Sequence, residues 1–171
     1  MQYRSVVFIA GALAACSPTL DWREFEPEGS HVRVTFPCKP DRYARNVVVA
    51  GVETRMEMVV CTAGDATFAL SFVDVADPAA VVGTLAELRA GAARNVGDAA
   101  PKVIELRVSG MTPNPQAARL QLSGRRPDGA ALQQQAAFFS KGLRVYQASI
   151  VGTQLPAELL ETFFSGLKLP S

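Results

Sequence analysis

The sequence predicts an α+β fold in which helices pack on a single antiparallel β-sheet. From residue 32 onward most segments alternate apolar and polar side chains, with short Gly-, Pro- and Asp-containing turns between them. This pattern is typical of half-buried strands joined by hairpins. Two other segments repeat their apolar residues at helical spacing, and each apolar stripe needs a sheet face to cover it.

The first half of the chain contains four predicted strands. Residues 31–36 alternate strictly, and Pro37 and Pro40 end that strand. Strands at 43–50, 52–62 and 66–75 follow. In the third strand, residues such as Met56 and Val60 are predicted to face one side, which places Cys61 on the opposite, polar side.

The second half begins with a helix and returns to strands. Asp77 and Pro78 are a capping residue and a first-turn proline, so a helix is predicted from here to about residue 95. Strands are predicted at about 102–108, 117–124, 130–139 and 143–151, and a turn at 126–129 joins the second and third of these. A last helix begins at about Pro156.

The N-terminal segment predicts export. Residues 1–15 combine a charged start at Arg4 with an apolar run of about ten residues, shorter than the roughly 20 that span a bilayer. Residues 13–16, Leu-Ala-Ala-Cys, resemble the bacterial lipobox, which implies cleavage before Cys16 and lipidation of its thiol. An ordinary cleavage site at 12–14 and a buried element of the fold are the alternatives. Residues 16–21 are then a tether and 22–171 one domain.

Charge and the residue after Cys16 restrict the partners and the destination. Removal of residues 1–15 deletes Arg4, which leaves 16 Lys+Arg against 16 Asp+Glu. A neutral chain without a basic run argues against nucleic acid as a partner. Ser17 is not the aspartate that retains lipoproteins in the inner membrane of well-known Gram-negative systems. We therefore expect an outer-membrane anchor, with the domain facing the periplasm.

Two cysteines remain once Cys16 is assigned to lipid. Cys38 and Cys61 form an even pair in a compartment expected to be oxidising, which favours a structural disulfide. The alternative is a pair of buried free thiols. A redox-active pair is disfavoured because the spacing is not C-x-x-C.

Two stretches have a recognisable pattern: Val32 to Pro40, with the sequence Val-Arg-Val-Thr-Phe-Pro-x-x-Pro, and Phe163 to Leu169, with the sequence Phe-Phe-Ser-Gly-Leu-Lys-Leu. They resemble PsbP-like domains, which occur in bacterial lipoproteins and in an extrinsic photosystem subunit. The resemblance spans about residues 22–169. It implies an α-β-α sandwich that acts as a binding or assembly module, usually without catalysis, and it transfers no binding residues.

The residues of catalytic and metal sites are sparse. His31, the one histidine, is expected to face solvent from its strand. Ser165 and Lys168 match S-x-x-K but lack the partner motifs of penicillin-binding enzymes. Carboxylates are scattered rather than clustered. The sequence therefore predicts no catalytic residues, no cofactor and no metal.

Two functions from different classes remain. The first is a non-catalytic envelope lipoprotein that binds or assembles a partner protein, with the loop 110–115 around Met111 and the tip Arg125-Arg126 as contact surfaces. The second is a periplasmic small-molecule carrier or sensor. Its pocket would lie between sheet and helix, although core packing is the heavier expectation for the residues concerned. These residues are Phe68, Leu70, Phe72, Phe138 and Phe139.

Overall fold

A computed structural model describes residues 20–170 of the chain. The predicted signal peptide, Cys16 and most of the predicted tether lie outside the described residues. In chain order the elements are β1 (Arg23–Phe25), β2 (Val34–Phe36), β3 (Asp41–Val49), β4 (Val52–Ala63), β5 (Ala66–Asp74), α1 (Pro78–Val96), β6 (Lys102–Ile104), β7 (Ala118–Arg125), β8 (Ala131–Lys141), β9 (Arg144–Gly152) and α2 (Ala157–Ser165).

Seven of the strands form the main sheet, in the spatial order β3-β4-β5-β9-β8-β7-β6. Every neighbouring pair is antiparallel. Strands β5 and β9 pair at the centre although α1 and three strands separate them in sequence. The local hairpins follow the predicted turns, as at Arg126, whose carbonyl accepts from the amide of Gly129.

The predicted single sheet with helices packed on it is wrong. Strands β1 and β2 form a separate two-stranded sheet, and nine strands accompany only two helices within residues 20–170. The short length of α2 explains why the predicted architecture is wrong. Helix α2 has nine residues, about 13 Å, whereas seven strands at about 4.8 Å spacing extend for about 29 Å. A helix this short cannot cover the face, so the β1–β2 sheet completes the cover, and the expected α-β-α sandwich is wrong for the same reason.

Each face of the main sheet has its own apolar core. On one face α1 lies against β7, β8 and β9, with Val81 and Leu85 buried. Asp77 accepts a hydrogen bond from the amide of Ala80 and caps α1, as predicted, and Gly97 ends it in the left-handed conformation. On the other face α2 and β2 share a core in which Phe36 and Phe163 are fully buried.

The predicted disulfide is confirmed, and it joins the two sheets. Cys38 follows β2, Cys61 lies in β4, and their Cα atoms are 5.9 Å apart. Cys61 belongs to the α2-side core together with Val59, whereas Met56 faces the α1 side. The side of β4 that was predicted to be polar therefore changes character within the strand. It is polar up to Glu57 and apolar from Val59 onward, where the small sheet covers it.

A polar cluster fixes the loop that precedes β2. Arg144 Nε and Nη2 donate to the two carboxylate oxygens of Asp74 at 2.6 and 2.5 Å, and Arg144 also donates to the carbonyl of Gly29. Tyr146 donates to the carbonyl of Ser30 at 2.8 Å, and burial raises its pKa to about 12. These bonds attach the loop to β9, and Asp74 of β5 holds Arg144 in position. Neither helix of the described residues is long and apolar enough to cross a membrane.

Candidate functional site

The candidate site is a partly open cleft beside α2, which we call the α2 cleft. Its volume is about 540 Å³, within the usual range of small-molecule sites. Strands β7 and β8 form its floor, α2 forms one wall, and the irregular segment after β6 forms the other. The lining residues are Ile104, Glu105, Leu106, Arg107, Val108, Arg119, Gln135, Ala137, Ala157, Leu160, Glu161, Phe164, Ser165 and Leu167.

Arg119 is the central polar group of this cleft. It lies opposite Ala137 in the β7–β8 register, on the α2 side of the sheet. Its Nε and Nη2 atoms donate to Gln135 Oε1 at 3.0 and 2.7 Å. Its guanidinium carbon lies 3.9 Å from the centre of the Phe164 ring, a cation–π contact. These contacts hold the guanidinium in one orientation.

The charge of Arg119 is only partly compensated. Burial lowers its pKa from the ordinary value, and the negative charge of Glu161 opposes that shift. Glu161 is not within ion-pair distance of it, and among residues 20–170 Arg119 makes no salt bridge. On the far wall Arg107 and Glu105 pair with each other at 2.7 Å. Arg119 therefore remains charged, because an arginine side chain does not lose its proton in proteins.

The sequence of α2 explains how the apolar wall is built. Leu160, Phe163 and Phe164 are its buried residues. The Phe163 ring meets Phe36 and Phe68 edge-to-face, which anchors the helix in the core. Phe164, one position on, turns toward Arg119. Gly166 then lets α2 end against β2, since a Cβ there would lie 2.4 Å from Thr35 Oγ1.

The five apolar residues that were considered for a carrier pocket form the core instead. Phe68 and Phe139 are fully buried on the α2 side, and Phe138 is fully buried on the α1 side. Leu70 and Phe72 are likewise buried. None of the five lines the α2 cleft. The expectation that they are packing residues is confirmed, and the cleft lies elsewhere on the same face.

The two surfaces that were predicted to contact a partner lie at opposite ends of β7. The loop 110–115 is fixed to the β8–β9 turn, because the Thr112 amide donates to the Ser140 carbonyl and Thr112 Oγ1 accepts from the amide of Gly142. Arg125 donates to the carbonyl of Gly129 within its own hairpin. The structure does not bring the loop and the tip together.

His31 lies at the surface, and Ser165 is held by a hydrogen bond within its own helix. His31 is exposed, with a φ of 52° that residues other than glycine rarely adopt. Asp74, the nearby carboxylate, is occupied by Arg144. Ser165 Oγ donates to the carbonyl of Thr162 at 3.5 Å, while the Lys168 amine lies 3.9 Å from Glu24. The S-x-x-K pair is thus divided between two different contacts.

Arg119 was missed by sequence reasoning because its strand follows the ordinary alternating pattern. Ala118, Leu120 and Leu122 form the apolar parity of β7 and pack under α1. Arg119 belongs to the polar parity, which the pattern assigns to solvent. The available signal was indirect, since a second helix must also cover part of that face. Within residues 20–170, no three His, Cys, Asp or Glu side chains converge as metal ligands would.

Comparison with known proteins gives little further information. No known protein family matches the chain, and no curated protein matches it. A crystal structure of a protein from Bacteroides thetaiotaomicron aligns with 88% of this chain and 42% of its own chain. Its identity is 11% and its TM-score is 0.41, a likeness too distant to carry an argument. The resemblance to PsbP-like domains stays a prediction.

Proposed function

We propose that this chain is a lipid-anchored lipoprotein of the cell envelope whose folded part is a non-catalytic binding module. The α2 cleft is its binding site. The observation that supports this proposal most directly is the cleft, a concave site of about 540 Å³ with a charged group held at its floor.

The disulfide supports the proposed localisation in the cell envelope. Cys38 and Cys61 are bonded, and structural disulfides persist mainly in oxidising compartments outside the cytosol. This is the environment that the predicted signal peptide and Cys16 imply. Lipid attached to Cys16 would anchor the domain to a membrane, most simply the outer membrane, facing the periplasm.

The lining of the cleft favours binding over catalysis. Ser165 is the hydroxyl among its lining residues, and its hydrogen bond goes to a carbonyl of its own helix. Glu105 and Arg107 neutralise each other. Arg119 is positioned to attract an anion, and an always-charged guanidinium does not serve as a proton donor or acceptor.

A small-molecule carrier or sensor is the form of binding module that the cleft favours. Protein–protein contacts of ordinary size bury about 800 Å² on each partner, whereas the α2 cleft is a local concavity. The contact loop and hairpin tip remain a second surface. Met111 of that loop lines a concavity of about 600 Å³ next to the α2 cleft, but this concavity is more open to solvent.

The proposed lipid anchor is tested by mass spectrometry of the N-terminal peptide from protein purified from cells. We expect a diacylglyceryl-modified Cys16 at the mature N-terminus. The Cys16→Ala variant should lose the lipid and leave the membrane fraction. A Cys16→Ala protein that matures and still fractionates with membranes would contradict the anchor.

The binding site is tested with a variant that fills the cleft from an exposed position. Ala157→Trp adds bulk at the start of α2, and Ala79→Trp places the same bulk in the first turn of α1, away from the cleft. Tagged full-length chains are crosslinked in intact cells, and captured proteins and small molecules are both identified. We expect a bound component that is retained by Ala79→Trp and depleted at least tenfold by Ala157→Trp. Equal retention by both variants would remove the cleft from the proposal.

A further inference from the structure

We propose that the α2 cleft binds a small organic carboxylate with an apolar body, its carboxylate on Arg119 and its body on the apolar wall. This inference rests on the proposed function of the cleft as a binding site and names the class of ligand.

The geometry of the guanidinium points to a carboxylate. An arginine has five N–H donors, and Gln135 Oε1 accepts from only Nε and Nη2. Within residues 20–170, Nη1 has no hydrogen-bond partner. A planar donor group that is already oriented suits the two oxygens of a carboxylate, since arginine pairs with this group bidentately.

The number of charges at the site favours a single negative charge on the ligand. Arg119 is the one cation of the cleft that has no ion-pair partner among the described residues, because Arg107 is paired with Glu105. Glu161 also lines the cleft, so its two arginines and two glutamates sum to zero charge. One ligand carboxylate can make a direct contact with Arg119, whereas a second negative charge would meet Glu161 with no further cation to pair with. A doubly charged phosphate is therefore a poorer match than a monocarboxylate.

The walls supply an apolar contact surface for the rest of the molecule. Phe164 stacks on the guanidinium and continues the surface toward the helix. Burial of apolar ligand area here contributes roughly 25 cal/mol per Å² before the costs of binding. A ligand that consists of a charged group alone would gain none of this binding free energy. The apolar lining residues include Leu106, Val108, Ala137, Leu160, Phe164 and Leu167.

The test compares three small molecules that separate the contribution of the carboxylate from that of the apolar body. Full-length protein in lipid nanodiscs is titrated calorimetrically with 4-phenylbutanoate, with 4-phenyl-1-butanol and with acetate, and empty nanodiscs serve as blanks. We expect 4-phenylbutanoate to bind at least tenfold more tightly than either the neutral alcohol or acetate. Equal affinity for the alcohol, or no binding of 4-phenylbutanoate, would overturn the inference.

Two arginines of the main sheet provide the matched variants. Arg119→Gln should weaken binding of 4-phenylbutanoate at least tenfold, whereas Arg45→Gln, exposed in the edge strand β3, should leave it unchanged. Unchanged binding in Arg119→Gln would also overturn the inference. If 4-phenylbutanoate fails to bind while Ala157→Trp still abolishes capture in cells, the ligand class is wrong and the binding module stands.

Discussion

The two faces of the main sheet are covered in different ways. Helix α1 has 19 residues, about 28 Å, and therefore matches the width of the sheet by itself. The other face, which we call the composite face, is covered by two short pieces, α2 and the β1–β2 sheet. Among residues 20–170, the α2 side contains seven buried aromatic residues, and the α1 side contains Phe138 alone. Large rings fill the junction between two covering pieces, and the α2 cleft lies where that cover ends.

The largest expected effect compares one buried phenylalanine from each face. Phe163→Ala should lower the free energy of unfolding by about 4 kcal/mol and Phe138→Ala by about 3 kcal/mol. Phe163 contacts rings from β2 and β5 as well as Phe164, so its loss loosens both covering pieces. Urea unfolding gives the two values. If Phe138→Ala lowered the free energy of unfolding more than Phe163→Ala, the composite face would not depend on a single ring more strongly than the α1 face does.

The disulfide belongs to the composite face only. Replacing both Cys38 and Cys61 by alanine should lower the free energy of unfolding by about 3.5 kcal/mol, because the open chain gains loop entropy in the unfolded state. Denaturant unfolding of the double variant, compared with the oxidised protein, measures the loss. If the loss is below about 1 kcal/mol, the small sheet is held by packing alone.

On the α1 face, the end of the helix approaches strand β7 closely at Gly124. A Cβ at Gly124 would lie 1.8 Å from the Val96 carbonyl oxygen, so Gly124→Ala should cost about 2 kcal/mol through displacement of the helix end. Gly91, inside α1, has only ordinary contacts. Gly91→Ala should therefore add up to about 1 kcal/mol through helix propensity. Thermal unfolding of both variants gives the signs, and a neutral Gly124→Ala would mean that α1 shifts freely on its face.

The smallest effect concerns the loop before β2 and depends on pH. Hydrogen bonds from Arg144 lower the pKa of Asp74 below its ordinary value near 3.8. The stabilisation is therefore complete above pH 3.8 and is lost as pH falls through the lower folded value. Because Asp74 is largely exposed, we expect less than about 1 kcal/mol. Asp74→Asn should flatten the acid limb of an unfolding-versus-pH curve, and an unaltered limb would contradict this assignment.

Local structure was largely predictable because its signals are contained in adjacent residues. The Asp77 cap and the turn at 126–129 each specify their own geometry. The alternation at 31–36 gave the burial of each side chain correctly, but the strand covers only Val34–Phe36, since His31 adopts a positive φ. The three-residue strand β1 has no such pattern and forms only because β2 offers it a partner. The second sheet was therefore not predictable from local periodicity.

The candidate site was predictable only in part. The disulfide followed from counting cysteines in a chain that the sequence predicts to be exported. Arg119 did not, since nothing in β7 distinguishes it from Gln121 or Ser123, which share its parity. Its role depends on where α2 comes to lie, a property of the assembled core. Sequence alternation reports which face a side chain takes but not what covers that face.

The bond between Cys38 and Cys61 also determines how the domain bears mechanical load. Tension applied at the N-terminal side of Cys38 passes through the covalent link into β4, near the interior of the main sheet. Strand β3, at the edge of that sheet, lies within the closed loop between the two cysteines. A pull from this end can therefore peel away β1 and β2, but it cannot unravel β3 until the link is reduced.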